Sequence, residues 1–310
     1  MFIDHYIISK SFWDGRNKSG VELSFNKDGK KEAINRAIGD LMERTLKRRD
    51  EAKGNRDEEI RKALLPKLNE WFEKPEIKIT EKEFDKWHNK ACDAVLEVLQ
   101  RFYTNNDYLK TPVQYGKAQK IVNMTMKGMY CLKGADAYEK HFKFCHMALD
   151  SFTLEWFRRY IARQWFNSKK ERGLQIKVTT DGGSFPKWSN LNYTQNSLEL
   201  TYEQYEQTPD VRLDDNKKYH YMFFVKTIRA YFDPTNKNNQ YSGLTPLQAE
   251  FCIWPEMKLR MATEAFLFEL DPIRYKESEA ANAEKQNLRN LSVDTLIQRV
   301  KDTIKDYQFR

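Results

Sequence analysis

The chain has 310 residues, with 53 lysines and arginines against 45 aspartates and glutamates, a formal net charge of +8. Apolar residues make up 40%, yet 19 Phe, 16 Tyr and 7 Trp present too much aromatic surface to stay dispersed in water, which excludes a disordered chain. No apolar run reaches the roughly 18 residues of a spanning helix, and Met1-Phe2-Ile3-Asp4-His5-Tyr6 lacks the zones of a secretory signal, so the expectation is a soluble, cytoplasmic protein.

Glycine (12) and proline (9) are scarce and helical periodicity recurs. The pattern predicts a mainly α, two-lobed helical fold over residues 1–310, with no clean domain boundary and a minor β-hairpin. A strand-like stretch over 2–9 precedes helices at 28–52 and 57–73. The next helix opens at Thr80, where Thr80-x-x-Glu83 forms a capping box ahead of Phe84, Trp87, Cys92, Val95 and Leu99. Residues 104–112 break it. Further helices are predicted over 114–132 and from Asp150 or Ser151 to about 167, with the hairpin inside the turn-rich 173–189. The last third predicts helices at 190–206 and 217–232, and one opened by Thr245-Pro246-Leu247-Gln248 that runs to 270 or breaks at Pro255. Residues 275–290 read as a polar linker or solvated helix, and 292–307 as a closing helix with Leu296, Val300 and Ile304 on one face.

Charge is uneven along the chain. Residues 111–175 hold twelve basic against five acidic residues, a net +7, which leaves +1 for the other 245. Such a basic middle is either a polyanion-binding face or a solvated surface. Inside it, Ala118, Ile121, Val122, Thr125, Met129 and Leu132 share one helical stripe, and Lys120 and Lys127 lie nearly opposite. These lysines are either ordinary solvated cations or side chains projecting into a cleft. Asp150 suits a helix N-cap before Ser151-Phe152-Thr153. Trp156 and Phe157 are spaced for a helix core. The four cysteines are widely spaced and read as reduced thiols. Cys131, His141, Cys145 and His146 fit no standard zinc spacing, and no phosphate-binding glycine loop or hydrolase signature is present.

The order of Pro112, Gly116, Lys120-Ile121-Val122-Asn123 and then Leu149-Asp150-Ser151 resembles the helix-hairpin-helix DNA glycosylases, in particular the 8-oxoguanine-glycosylase-like branch. The likeness covers Pro112 to Trp156, within a core expected over 93–166. Only one of the family's two hairpin glycines, Gly116, is present. The resemblance implies that Lys120 is the nucleophile, with Lys117 or Lys127 as substitutes, and that Asp150 is its electrostatic partner. It implies that Gly116 offers its amide to a DNA phosphate. Lys117, Lys127, Arg158, Arg159 and Arg163 are the expected phosphate contacts. Tyr115, Asn123, Phe152, Trp156 and Trp188 are the candidates for a base pocket or wedge. The expected partner is double-stranded DNA carrying an oxidised or otherwise modified base. The expected enzyme is a monomer with no metal or cofactor, which excises the base and nicks the strand through a Schiff base. Some bacterial relatives of that branch defend against phages with modified DNA, so a phage base is an implied target. A non-catalytic helical DNA- or RNA-binding protein is the alternative from the same basic middle.

Overall fold

Several helix starts in this chain are set by side chains that accept the first unpaired amides. The structure, a computed structural model, describes residues 15–17, 19–41, 45–73, 78–106, 110–162, 188–193, 221–237, 239–270, 287–288 and 290–308. Asn26 caps α1 (Lys27–Gly39) and Asn55 caps α2 (Arg56–Trp71), each accepting two amides. The capping box expected at Thr80 is formed: its hydroxyl accepts from the Glu83 amide and its own amide donates to the Glu83 carboxylate at 2.8 Å. It opens α3 (Glu81–Phe102). The Thr245–Gln248 box opens α8 (Pro246–Leu270), which passes Pro255 without a break. The remaining helices are α4 (Tyr115–Tyr130), α5 (Glu139–Phe142), α6 (Ser151–Trp156), α7 (Tyr221–Tyr231) and α9 (Val293–Gln308).

The fold is mainly helical with a small two-stranded antiparallel sheet. Its strands are distant in sequence, β1 (Leu46–Arg48) and β2 (Tyr103–Asn105), in the register Leu46↔Asn105. This corrects the helix expected over 28–52. Helix α1 ends at Asp40, and the helix-prone 46–48 is claimed by pairing with β2. Arg49 then caps the end of α3, its amide donating to Phe102 O at 2.9 Å and its Nε to Gln100 O at 2.9 Å. Beyond β2 the Asn105 amide donates to Thr111 O at 2.8 Å, and Gly116 lies inside α4, within the helix expected over 114–132. Helix α6 also differs from expectation, because its α-helical part ends at Trp156 and continues as a π-helical stretch over Phe157–Ala162. The strand at 2–9 lies outside the described residues, as do nearly all of the 173–189 hairpin, the 190–206 helix and the 275–290 linker.

The chain divides into two compact units, Met1–Phe251 and Cys252–Arg310. In the first, α4 is the central element, packed on α1, α3 and a 3-10 turn at Trp188–Asn190. It is buried on every side, polar residues included. In the second, Leu288 and Leu296 are wholly buried and pack with Leu291 and Val300. Among the described residues no helix is long and apolar enough to cross a membrane.

Because the solvent-exposed Thr80 hydroxyl accepts the Glu83 amide at the start of a long core helix, Thr80→Ala is expected to destabilise the chain by about 1 kcal/mol. The check is a lower urea midpoint with an unchanged denaturant slope; an unmoved midpoint would show that the box adds nothing to α3.

Candidate active site

Three lysines of α4 enter the interior: Lys117 is 1% exposed, Lys120 8% and Lys127 3%. Ionic groups are rarely buried without partners, so the partners define what each lysine does. Lys127 donates to Glu250 Oε1 at 2.8 Å, and the other oxygen, Oε2, accepts the Ala148 amide at 2.8 Å. Burial raises the Glu250 pKa, opposed by the Lys127 ammonium. Lys127 is therefore a structural ion pair, not the phosphate contact expected of it.

Lys120 and Asp150 come together. Lys120 Nζ lies 3.6 Å from Asp150 Oδ2. Asp150 Oδ1 caps α6, accepting from the Phe152 amide at 2.9 Å and the Thr153 amide at 3.1 Å. One carboxylate thus orders a helix with one oxygen and faces an ammonium with the other. Asp40, exposed at the end of α1, shares this field. Partial burial raises its pKa, the Lys120 charge lowers it most among its neighbours, and Asp150 raises it further.

Lys117 sits one turn before Lys120 on the same face. Its Nζ donates to Thr45 Oγ1 at 2.8 Å, and among the described residues no carboxylate pairs with it. Burial and the nearby Lys120 charge push its pKa down to about 8. The indole of Trp188 covers both amines, with Lys117 Nζ 5.3 Å and Lys120 Nζ 5.1 Å from its ring centre.

Gly116 explains how Trp188 reaches this position. A Cβ there would lie 1.9 Å from Trp188 O, so only glycine lets the 188–191 backbone cross α4. The Gly116 amide donates to Leu191 O at 2.9 Å. The resemblance sets a DNA phosphate against this glycine, whereas in the structure a backbone crosses it closely. That backbone is the protein's own, and the amide expected to bind a DNA phosphate is already engaged.

The loop that delivers Asp150 is pinned at each step by side chains of which, besides the Asp150 cap itself, only Asn123 was among the expected site residues. Arg229 donates to Phe144 O at 2.9 Å, Asn123 to Met147 O at 3.3 Å, and Glu250 holds the Ala148 amide. Gln119, wholly buried, accepts the Leu149 amide and donates to Leu149 O, at 3.3 and 2.8 Å. The Asp150 amide donates to Thr153 Oγ1 at 2.8 Å. Gln119 was legible only as a polar residue beside Lys120; the partners of Glu250 and Arg229 lie about a hundred residues away, beyond any local signal.

Asn123 belongs to a buried polar chain rather than to an open base pocket. His88 Nε2 lies 2.7 Å from Asn123 Oδ1, Asn123 Nδ2 donates to Tyr221 OH at 2.9 Å, and Tyr221 OH lies 2.9 Å from His146 Nδ1. His146 Nε2 lies 2.8 Å from Asp85 Oδ1, and Arg229 holds both oxygens of Asp85 at 2.8 and 2.9 Å. Burial acts to raise the Asp85 pKa, but His146 and Arg229 outweigh it and hold the carboxyl well below its usual range. One donor pattern fits throughout. Neutral His146 donates from Nε2 to Asp85 and accepts the Tyr221 hydroxyl at Nδ1, and His88 donates from Nε2 to Asn123.

The other expected contacts are distributed differently. Trp156 is 1% exposed and packs edge-on against Tyr231, with ring centres 5.6 Å apart, so it is core and not a wedge. Tyr115 is buried and stacks on Tyr193 at 5.2 Å. Phe152 is half-buried on the first turn of α6. Arg158 and Arg159 both pair with Glu155, which removes much of their charge from any phosphate. Arg163 lies outside the described residues. Cys131, His141, Cys145 and His146 do not converge, and among the described residues no three side chains of metal-binding type do.

Two predictions follow from this geometry. Gly116→Ala is expected to displace the Trp188 turn, read as a red-shifted tryptophan emission and a lowered melting temperature; unchanged emission would contradict the crossing. Burial pushes the His146 pKa down to about 4, and His88 well below its ordinary value. The folded chain therefore binds fewer protons than the unfolded chain below about pH 6.5, so stability is full above that pH and falls towards pH 4. His146 alone accounts for about 3 kcal/mol of that fall. Urea unfolding at pH 7 and pH 5 reads the loss, and His146→Gln is expected to flatten the slope.

No protein-family model matches this chain, and searches of the curated proteins and of the solved structures find no significant match either.

Proposed function

We propose that the chain is a DNA glycosylase that removes a modified base from double-stranded DNA and carries Schiff-base lyase activity. The observation that carries this reading is the pair of lysine amines against the Trp188 ring, with the Asp150 carboxylate 3.6 Å from one of them. Breaking a base–sugar bond develops positive charge on the sugar, and a fixed carboxylate opposes that charge without having to reorganise. Asp150 is fixed in this way, because its cap holds the side chain whether or not substrate is bound. A lysine amine supplies the nucleophile for the sugar carbon. The base must leave the stack to reach it, at a cost of a few kcal/mol, and the indole beside the amines is a stacking surface for it.

With Lys127 and the two arginines paired internally, phosphate contact falls to other cations of the basic middle. Lys133, Lys140 and Lys143 are exposed there. An oxidised base or a hypermodified phage base is the substrate class, and a monomer in the reducing cytoplasm is the working form, in keeping with four cysteines that form no disulfide.

The test is borohydride trapping on duplexes containing 8-oxoguanine, an abasic site or hypermodified cytosines, with released bases measured by mass spectrometry. A covalent adduct is expected on at least one duplex. Asp150→Asn, which keeps a cap oxygen, is expected to slow base release by about 10²–10³-fold with DNA affinity nearly unchanged. Salt-sensitive DNA binding with neither adduct nor released base would identify a binding protein instead.

A further inference from the structure

Two lysines face the same indole, but their surroundings differ in a way that assigns them different work. Lys120 has the Asp150 carboxylate 3.6 Å away as its partner. Among the described residues Lys117 has only the Thr45 hydroxyl as a hydrogen-bond partner, at 2.8 Å, a neutral group that can accept from an ammonium or donate to a free amine. Lys117 also occupies the third position of the sixteen-residue α4. There the helix dipole and its side chain, directed back towards the N-terminus, place the amine where positive charge is disfavoured. Burial, a neighbouring ammonium and a helix N-terminus all act on the same nitrogen in the same direction.

We propose that Lys117 is the aldehyde-reactive amine of this chain, and that Lys120, ion-paired with Asp150, is a positioning residue whose charge lies beside the Lys117 amine. Applied to DNA, the assignment rests on the glycosylase reading above; the reactivity of the amine towards aldehydes does not. The Lys117 nitrogen bonds to C1′ of the sugar as the C1′–base bond breaks, and that electron pair leaves with the base. The nitrogen passes one proton to the departing base. Its lone pair then expels O4′, which takes a proton from solvent, leaving a protonated imine at C1′. Lys120 and Asp150 exchange no atoms in this sequence. The lowered pKa of about 8 supports the assignment, since about a tenth of the amine is then neutral at pH 7, against less than a thousandth for an ordinary lysine.

Access is governed by Trp188, which lies over both amines. The turn that carries it is tied to α4 through the Gly116 amide and Leu191 O. An aldehyde reaches Lys117 when this turn lifts, so removing the indole is expected to speed the reaction.

The experiment is brief reductive methylation of the whole protein with formaldehyde and cyanoborohydride at pH 7, mapped by peptide mass spectrometry. The amine adds to the aldehyde carbon, water leaves, and the hydride reduces the iminium to a methylamine. Lys117 is expected to be labelled more than tenfold faster than Lys62, an exposed lysine whose pKa is raised by Glu58 and Glu59. Trp188→Ala is expected to increase the labelling of Lys117, and Lys120→Met to move its pH profile to higher pH. A structural role alone would leave that profile in place. Preferential labelling of Lys120, or equal labelling of Lys117 and Lys62, overturns the assignment. A borohydride adduct on abasic DNA that maps to Lys120 overturns it as well, while leaving the glycosylase reading intact. Fast labelling of Lys117 with no DNA adduct on any duplex upholds the reactive amine and defeats the DNA reading.

Discussion

The constraint on which the first unit depends is the burial of α4 on all sides despite its polar sequence. Gln119, Asn123, Thr125 and three lysines go into the interior with it. An unpaired buried amide costs about 1–3 kcal/mol and an unpaired charge more, so each of these side chains must find a partner. Two of them, Gln119 and Asn123, find theirs among the backbone groups of residues 147–149, and Lys120 finds Asp150 itself. Satisfying α4 and placing Asp150 are therefore one event. A helix that could be solvated on one face would leave that loop free to wander.

The same demand organises the charges. Lys127 meets Glu250, which is itself wholly buried and occupied by the Ala148 amide. Arg229 meets Asp85, and Asp85 in turn sets the tautomer of His146. Pairs such as these contribute little net stability compared with apolar packing, but breaking one leaves a charge stranded in the interior. They fix geometry more than they add energy. What they fix is the line from α7 through His146 and Tyr221 to Asn123, and so the back wall of the loop that ends in Asp150.

Local chemistry was the part of this structure that could be read from sequence. The Thr80 and Thr245 boxes, the helix beginning after Gln114 and the Asp150 cap all depend on residues within a few positions of one another, and each formed where its residues predicted. The 28–52 segment failed for the opposite reason. Its residues favour helix, and a strand more than fifty positions away outcompeted them. The lysines show the limit most clearly. Periodicity set Lys120 and Lys127 opposite an apolar stripe, which is correct, but a helix with a second polar layer behind it has no solvent-facing side. Only Glu250 and Trp188, remote in sequence, reveal that. The resemblance marked Gly116 as a point of close approach, but to a DNA phosphate and not to the protein's own backbone.

Once every buried charge on α4 is matched with its partner, Lys117 is left over. Lys127 and Lys120 each have a carboxylate; Lys117 has a hydroxyl and an aromatic face. A methionine at this position would fill similar volume and leave no charge to accommodate. Local rules of packing and charge are broken at sites that do chemistry far more often than elsewhere, because reactivity requires a group held away from its own most stable state. An amine kept from solvent, beside a second ammonium and at the positive end of a helix, is held away from its charged form by three separate effects. The polar network that fixes Asp150 and the glycine that admits Trp188 both maintain that arrangement. The rigid parts of the first unit thus converge on an amine whose charged form they disfavour relative to that of a solvated lysine.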